Sequence, residues 1–350
     1  MSEKTEKTRQ KRTSETVKNL QIEEIKKTQN VASDQEAVAI WKKKKTGKFW
    51  KKIWNDKGFY LMFLPVAIFV ILLYYWPMLG IRFAFFEYKP VGPLKFVGLA
   101  NFQKMFSTNA FWVSFGNTLF LSILKLLITT ATSVIVSVFL NEMRLLWAKK
   151  TLQTLIYLPH FMSWAVVAAI FSLMLSPSAT GMINGVLKDL NVIDPDGSGI
   201  YFLANKAWWR PIFFLINIWK ETGWGTVIFL ATLSGINPEL YEAAEIDGAS
   251  RMQRIWHVTV PALSQTIIIV LILNLAKVMN MFESVFVLYN SAVYDVSDVI
   301  STYIYRQTFT IALPNYGYTT AVGLFKSLVG GGLVILCNWA SKKIRGRGIL

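Results

Sequence analysis

The residues able to do chemistry are few and lie in two places. Within long apolar stretches stand Asn217, Trp219, Lys220, Glu221 and Trp224, and then Asn274, Lys277, Asn280 and Glu283. Between those stretches runs YEAAEIDGASRMQRIWHVTVP (241–261), where Glu239 just ahead, Glu242, Glu245 and Asp247 make an acidic, alanine-rich segment. Polar side chains inside an apolar span are costly and are functional candidates by default. Amides, carboxylates and indole faces supply hydrogen bonds and flat apolar surfaces, which is the chemistry of binding. No catalytic set accompanies them. His160, His257 and the single Cys337 are scattered, a poor basis for a metal cluster or a nucleophile–base pair. No Gly-rich loop ending in Lys-Ser/Thr is present to cradle phosphate. The chain reads as a non-enzyme without metal or cofactor.

Those residues must be positioned by membrane-grade elements. Of 350 residues, 53% are hydrophobic and 17% charged, and the formal charge is +16. That is greasier and less charged than a soluble domain. About 20 apolar residues cross a bilayer as a helix. The runs predict six such helices, near 59–80, 115–140, 152–175, 211–233, 263–283 and 318–340. Lys and Arg total 25 over 1–58, 141–151, 234–262 and 341–350, most of them in 1–58, against 8 over 81–114, 176–210 and 284–317. The positive-inside rule then puts both termini and the acidic loop on the cytoplasmic side. Basic tail 1–57 divides into a polar part without the means to build a core and the segment 41–54. There Trp41, Phe49, Trp50 and Trp54 interleave with lysines, as suits an anionic membrane surface. Nucleic acid is the weaker reading, because the segment abuts a span. Trp76, Trp208 and Trp209 read as interfacial belt residues, 181–190 as a short amphipathic outer helix, and Gly330, Gly331 and Gly332 as a place for close helix packing.

The acidic loop has internal signals. Asn237 can cap a helix with Pro238 at its first position. Gly248 is a stop, Ser250 a second cap, and Pro261 the end of the second short helix. The loop, 234–262, is far longer than a connector between helices needs. It reads as a helix–glycine–helix elbow offering carboxylates to a basic partner.

These residues resemble a family. EAAEIDGASRMQRIWHVTVP is similar to the EAA motif of permease subunits in binding-protein-dependent ABC importers, with Glu242, Ala243, Ala244, Asp247, Gly248, Ala249 and Pro261 in register. It departs at Ile255, usually phenylalanine, and at Gln265, often a proline. FVGLANFQKMF (96–106), NTLFLSI (117–123), LPHFMSW (158–164) and TYIYRQTF (302–309) resemble further stretches of the carbohydrate branch. Residues 58–345 are covered.

The resemblance implies an all-α membrane protein, a six-helix permease domain of the type I ABC importer class in a bacterial plasma membrane. It implies a second, homologous permease subunit, two ATP-binding subunits that receive the elbows, an extracytoplasmic solute-binding protein and a carbohydrate substrate. It also implies a substrate path lined from the spans that flank the loop, at Asn217, Glu221, Trp224, Asn274, Lys277 and Asn280. Asn217, Glu221 and Trp224 share a face by helical spacing, as do Asn274 and Lys277. The family has glycine where this chain has Glu221. A rival assignment for Glu221 and Lys277 is an ion pair joining two helices. A rival for the whole chain is a secondary transporter or channel for a small polar solute.

Overall fold

A computed structural model describes residues 54–345 apart from 179, 180 and 196. Except for Trp54, the segment 41–54 lies outside the described residues, as does the rest of the polar tail. The chain falls into two units, to Leu79 and from Gly80. In the first, α1 (Lys57–Val70) runs on through a wider π-type turn, Ile71–Tyr75, and a last turn, Trp76–Met78. Pro77 cannot donate, and its ring crowds the carbonyl four residues back. The wider turn falls at that place.

The second unit opens with a short antiparallel ladder, β1 (Phe86–Glu87) on β2 (Lys95–Phe96), in which Phe86 faces Phe96. Next comes α2 (Ala100–Ser107). Its spine is α3 (Asn109–Glu142) packed along α7 (Lys206–Leu233). Small polar groups let the two approach closely, as apolar solvent favours. The Ser133 hydroxyl donates to the Thr222 carbonyl at 3.0 Å. A Cβ on Gly223 would lie 2.2 Å from the Ile156 carbonyl oxygen, so only glycine fits where α7 meets α4 (Leu146–Tyr157). Around the spine stand α5 (Trp164–Met174), the short α6 (Met182–Asp189), α8 (Pro238–Ile246), α9 (Arg251–Leu275), α10 (Ile300–Phe309) and α11 (Tyr316–Arg345). Leu121, Val167, Trp209, Phe213, Ile216 and Val285 form the main core, and Phe229, Leu233 and Leu263 a smaller one.

Among the described residues, four helices are long and apolar enough to cross a bilayer: the one beginning at Lys57, α3, α9 and α11. α7 has 28 residues but carries Lys220 and Glu221 near its middle. Several expectations need correction. The third span is not one helix. After Tyr157 the chain makes a 3-10 turn, Leu158–Phe161, and α5 leaves at 102° to the preceding arm. Met162 and Ser163 are extended, and Ser163 caps α5 by accepting from the Val166 N–H at 3.3 Å. The fifth span ends at Leu275, not 283. A 3-10 turn, Val278–Asn280, follows, and Glu283 starts a separate turn of helix. Pro261 ends nothing, because α9 passes through it. A π-type turn at Ile255–Thr259 lies just ahead, where the missing donor and the ring must be accommodated. Trp209 is no belt residue: it is fully buried, and its indole donates to the Leu288 carbonyl at 3.0 Å. Of the three late glycines only Gly330 faces a neighbour, Met279, at ordinary contact distance.

Candidate functional site

The sequence-predicted residues divide between a cavity and the glycine-turn loop. The cavity is about 830 Å³ and lies between α3, the first residue of α5, α7, α9 and the non-helical segment that follows α9. Glu221, Trp224, Asn274, Lys277 and Asn280 all line it. Asn217 does not. It is fully buried one turn beyond Glu221, where its amide donates to the Phe213 carbonyl at 2.7 Å and its Oδ1 has no partner. The cavity sits one to two turns along α7 from it, reached by Gly225 and Ile228 instead. α3 contributes Ser122, Lys125, Thr129 and Ser133, which sequence reasoning left out. Lys125 had one legible signal, a lysine inside an apolar span. Trp164 and Glu283 add an indole and a second carboxylate to the lining.

Irregular backbone at membrane depth is tolerated where it is held by protein or lines a cavity. Both breaks meet that condition. The Lys220 ammonium, buried between α7 and the first break, donates to the carbonyls of Met162 at 2.6 Å, His160 at 3.0 Å and Pro159 at 3.4 Å. It also lies over the Trp164 ring, as does Lys125. The second break is pinned by the Ser122 hydroxyl, which donates to the Val278 carbonyl at 2.8 Å.

Glu221 does not pair with Lys277. Its nearest charged or titratable neighbour is His160, with Nδ1 3.6 Å from Oε2. The His160 ring is stacked on Trp224, centroids 5.0 Å apart and planes within 9°. The helix-joining ion pair is therefore absent, and the Lys277 side chain is exposed to the cavity.

A second polar group, unread in the sequence, fixes the segment after the cavity. Asp298 is buried and forms an ion pair with Arg306. It also accepts from Thr302 at 2.7 Å and Ser114 at 3.2 Å. Arg210 donates to Asn117 Oδ1 at 2.8 Å, and the Asn117 amide donates to the Asp298 and Asp295 carbonyls. Nearby, the Lys206 ammonium 2.6 Å from Asp295 holds that carboxyl below the usual range by hydrogen bond and charge.

In the loop, Asn237 Oδ1 accepts from the Glu239 N–H at 3.1 Å, and Pro238 opens α8. The helix closes with the Ala249 N–H on the Ala244 carbonyl and the Gly248 N–H on the Glu245 carbonyl. That double closure needs a left-handed residue, and Gly248 has φ +77°. Ser250 and Gln253 then cap α9 reciprocally. Arg254 binds Glu245 at 2.9 Å, and Tyr241 meets Thr259 at 3.1 Å, so the two arms are fastened to each other. Glu242, Ala243, Asp247 and Gly248 are exposed on the outside of the turn. Ala244 and Ala249, with Asp247 and Gly248, also line a small hollow of about 250 Å³.

The family profile of the binding-protein-dependent transport system inner membrane component matches residues 133–346. The chain belongs to that family. This permease is 39% identical over 314 residues to the polygalacturonan/rhamnogalacturonan transport system permease protein YteP of Bacillus subtilis (strain 168), covering 89% of this chain and 95% of that one. It is 26% identical over 305 residues to the arabinooligosaccharides transport system permease protein AraP of the same organism, covering 85% and 92%. Its fold matches a chain of a bacterial ABC transporter involved in the import of the acidic polysaccharide alginate. The TM-score is 0.76 at 36% identity, over 85% of this chain and 99% of that one. A second structure shows the alginate transporter in complex with an alginate pentasaccharide-bound periplasmic protein, with the same score and identity. The chain is thus a multi-pass permease subunit of an ABC importer and not an enzyme. Membership removes the secondary-transporter and channel reading.

Proposed function

We propose that this permease carries an oligosaccharide through the 830 Å³ cavity and that the loop 234–262 is its handle for an ATP-binding subunit. The observation that carries the reading is one continuous element. α9 runs from Arg251, three residues past the glycine turn, to the cavity wall at Val270 and Asn274. Its 25 residues make a rod of roughly 37 Å, so a displacement of the turn moves the wall. The cavity size is that of a site for a ligand of a few rings, larger than an ion needs. Amides, carboxylates and indoles suit hydroxyls and C–H faces.

The full assembly in this reading has a second permease, two ATP-binding subunits and an extracytoplasmic solute-binding protein. The chain crosses the membrane six times, the broken α4–α5 pair counting as one crossing, with tail 1–57 and the C-terminus cytoplasmic. Glu242, Ala243, Ala244, Asp247, Gly248 and Ala249 present the docking turn, and Pro261 shapes the start of the rod. Lys125 and Lys277 in the wall, and relatives named for polygalacturonan and alginate, make an acid-bearing saccharide the first to test. Reconstituted with its partners in proteoliposomes, the importer should take up trigalacturonate, or failing that arabinotriose or maltotriose, only with ATP inside. ATP-independent uptake, or uptake of none of the three, contradicts the reading.

A further inference from the structure

His160 is not part of the cavity wall. It stands behind two residues that are, and touches both. Its ring covers one face of Trp224, at 5.0 Å and 9°. Trp224 is 52% exposed, so its other surface remains open on the cavity side. Its Nδ1 lies 3.6 Å from Glu221 Oε2, beyond hydrogen-bond length, and is a buried nitrogen with no hydrogen-bond partner. The backbone that presents the ring is tied to α7, because Lys220 donates to the carbonyls of Pro159, His160 and Met162. A rigid break thus delivers one imidazole to the back of a carboxylate and an indole.

We propose that His160 is a specificity-determining positioning residue. It fixes the plane of Trp224 as a stacking platform and the orientation of Glu221 as a hydroxyl acceptor, so that the two act on one sugar ring. An oxygen of Glu221 drawn toward a saccharide hydroxyl changes the 3.6 Å gap, so the imidazole senses occupancy. The inference rests on the cavity being the saccharide path. It goes beyond it in assigning recognition to a residue outside the wall.

The test separates the two. The assembled importer is reconstituted, and uptake is measured with whichever of trigalacturonate, arabinotriose and maltotriose the unaltered importer transports best. His160→Ala removes platform and sensor. It should raise the half-saturating concentration roughly tenfold, the scale of one aromatic stack plus a polar contact, while the maximal rate changes far less. His160→Phe keeps a stacking ring without nitrogen. It should recover most of the loss, and combined with Glu221→Gln it should be no worse than Glu221→Gln alone. The chain has two histidines, so nitrogen-15 histidine labelling yields two rings, assigned with His257→Gln. The His160 nitrogens should shift on adding saccharide, and the shift should vanish in Glu221→Gln. If Glu221→Gln and Trp224→Ala change uptake but His160→Ala leaves the half-saturating concentration unaltered, the role of His160 is wrong and the path stands. If Glu221→Gln and Trp224→Ala also leave it unaltered, the path itself fails. An equal fall in maximal rate and in assembly for His160→Ala and His160→Phe, with no ring shift on adding saccharide, would mean simple packing and overturn the proposal.

Discussion

The ammonium of Lys220 lies 2.6 Å from the carbonyl oxygen of Met162 and so ties α7 to the break between α4 and α5. The sequence neighbour Glu221 instead turns its carboxylate to the cavity. One charged pair in a helix thus separates into a structural clamp and a candidate binding group.

Replacing Lys220 with Met keeps an unbranched side chain, one heavy atom shorter, and removes the donor. Hydrogen bonds to charged groups are worth about 1.5–3 kcal/mol each, so the break should loosen by at least that amount. Thermal melting of the purified assembly should fall by several degrees, and Lys220→Arg should restore part of it. An unchanged melt would show that the three carbonyls do not depend on the clamp.

Asp298 and Arg306 form the most buried ion pair among the described residues. Asp298→Ala leaves a cation without its partner in a site closed by Thr302 and Ser114. The expected loss is about 3–5 kcal/mol. The double change Asp298→Leu with Arg306→Met should lose less than Asp298→Ala alone, read as assembly yield and melting temperature. Equal or greater loss in the double variant would contradict this.

The Gly248 turn has open space around it, since a Cβ there would meet nothing within 4 Å. Any cost of substitution is therefore conformational. Gly248→Asn, which tolerates a positive φ, should support near-normal uptake. Gly248→Val should insert in the membrane but lose coupling of uptake to ATP hydrolysis. Equal activity of the two would show that the turn's shape is not what docks.

Lys206 and Asp295 tether the start of α7 to the segment before α10. Hydrogen bonding to Lys206 lowers the folded carboxyl. The tether is thus fully present above the unfolded value near 3.9 and is lost as pH falls through the lowered folded value. Both side chains are about half exposed, so the effect is small and salt-sensitive. Asp295→Asn should lower the melting temperature slightly at pH 7 and not at all at the acid limit. A difference that grows on acidification would be the wrong sign.

Much of this was legible in the sequence because apolar run length and cap chemistry are local. Asn237, Gly248 and Ser250 announced α8, the turn and the start of α9 by rules that need no tertiary contact. The ends of the spans were less legible. The break at 158–163 sits inside an apolar run, and the lysine that satisfies its carbonyls lies some sixty positions later. The mostly apolar sequence continuing past Leu275 masked the end of α9, after which the Val278 carbonyl is taken up by the Ser122 hydroxyl. Asn217 shares a helical face with Glu221, but spacing says nothing about how far along the helix a cavity extends. The rival pairing of Glu221 with Lys277 fails for a related reason: it needs Lys277 on the helix, and the chain leaves the helix at Leu275, before reaching it.

One rod joins the glycine turn to the proposed saccharide-bearing wall, and Asn274 is the wall residue nearest the end of that rod. Cys337 is the sole cysteine, so an Asn274→Cys change in a Cys337→Ser background gives one reactive site. The decisive measurement is the rate at which a small polar maleimide labels it in the reconstituted importer. Labelling should slow with the transported saccharide present, and its rate should change when the ATP-binding subunits are trapped with nucleotide, an effect abolished by Gly248→Val. A rate indifferent to both saccharide and nucleotide would contradict it.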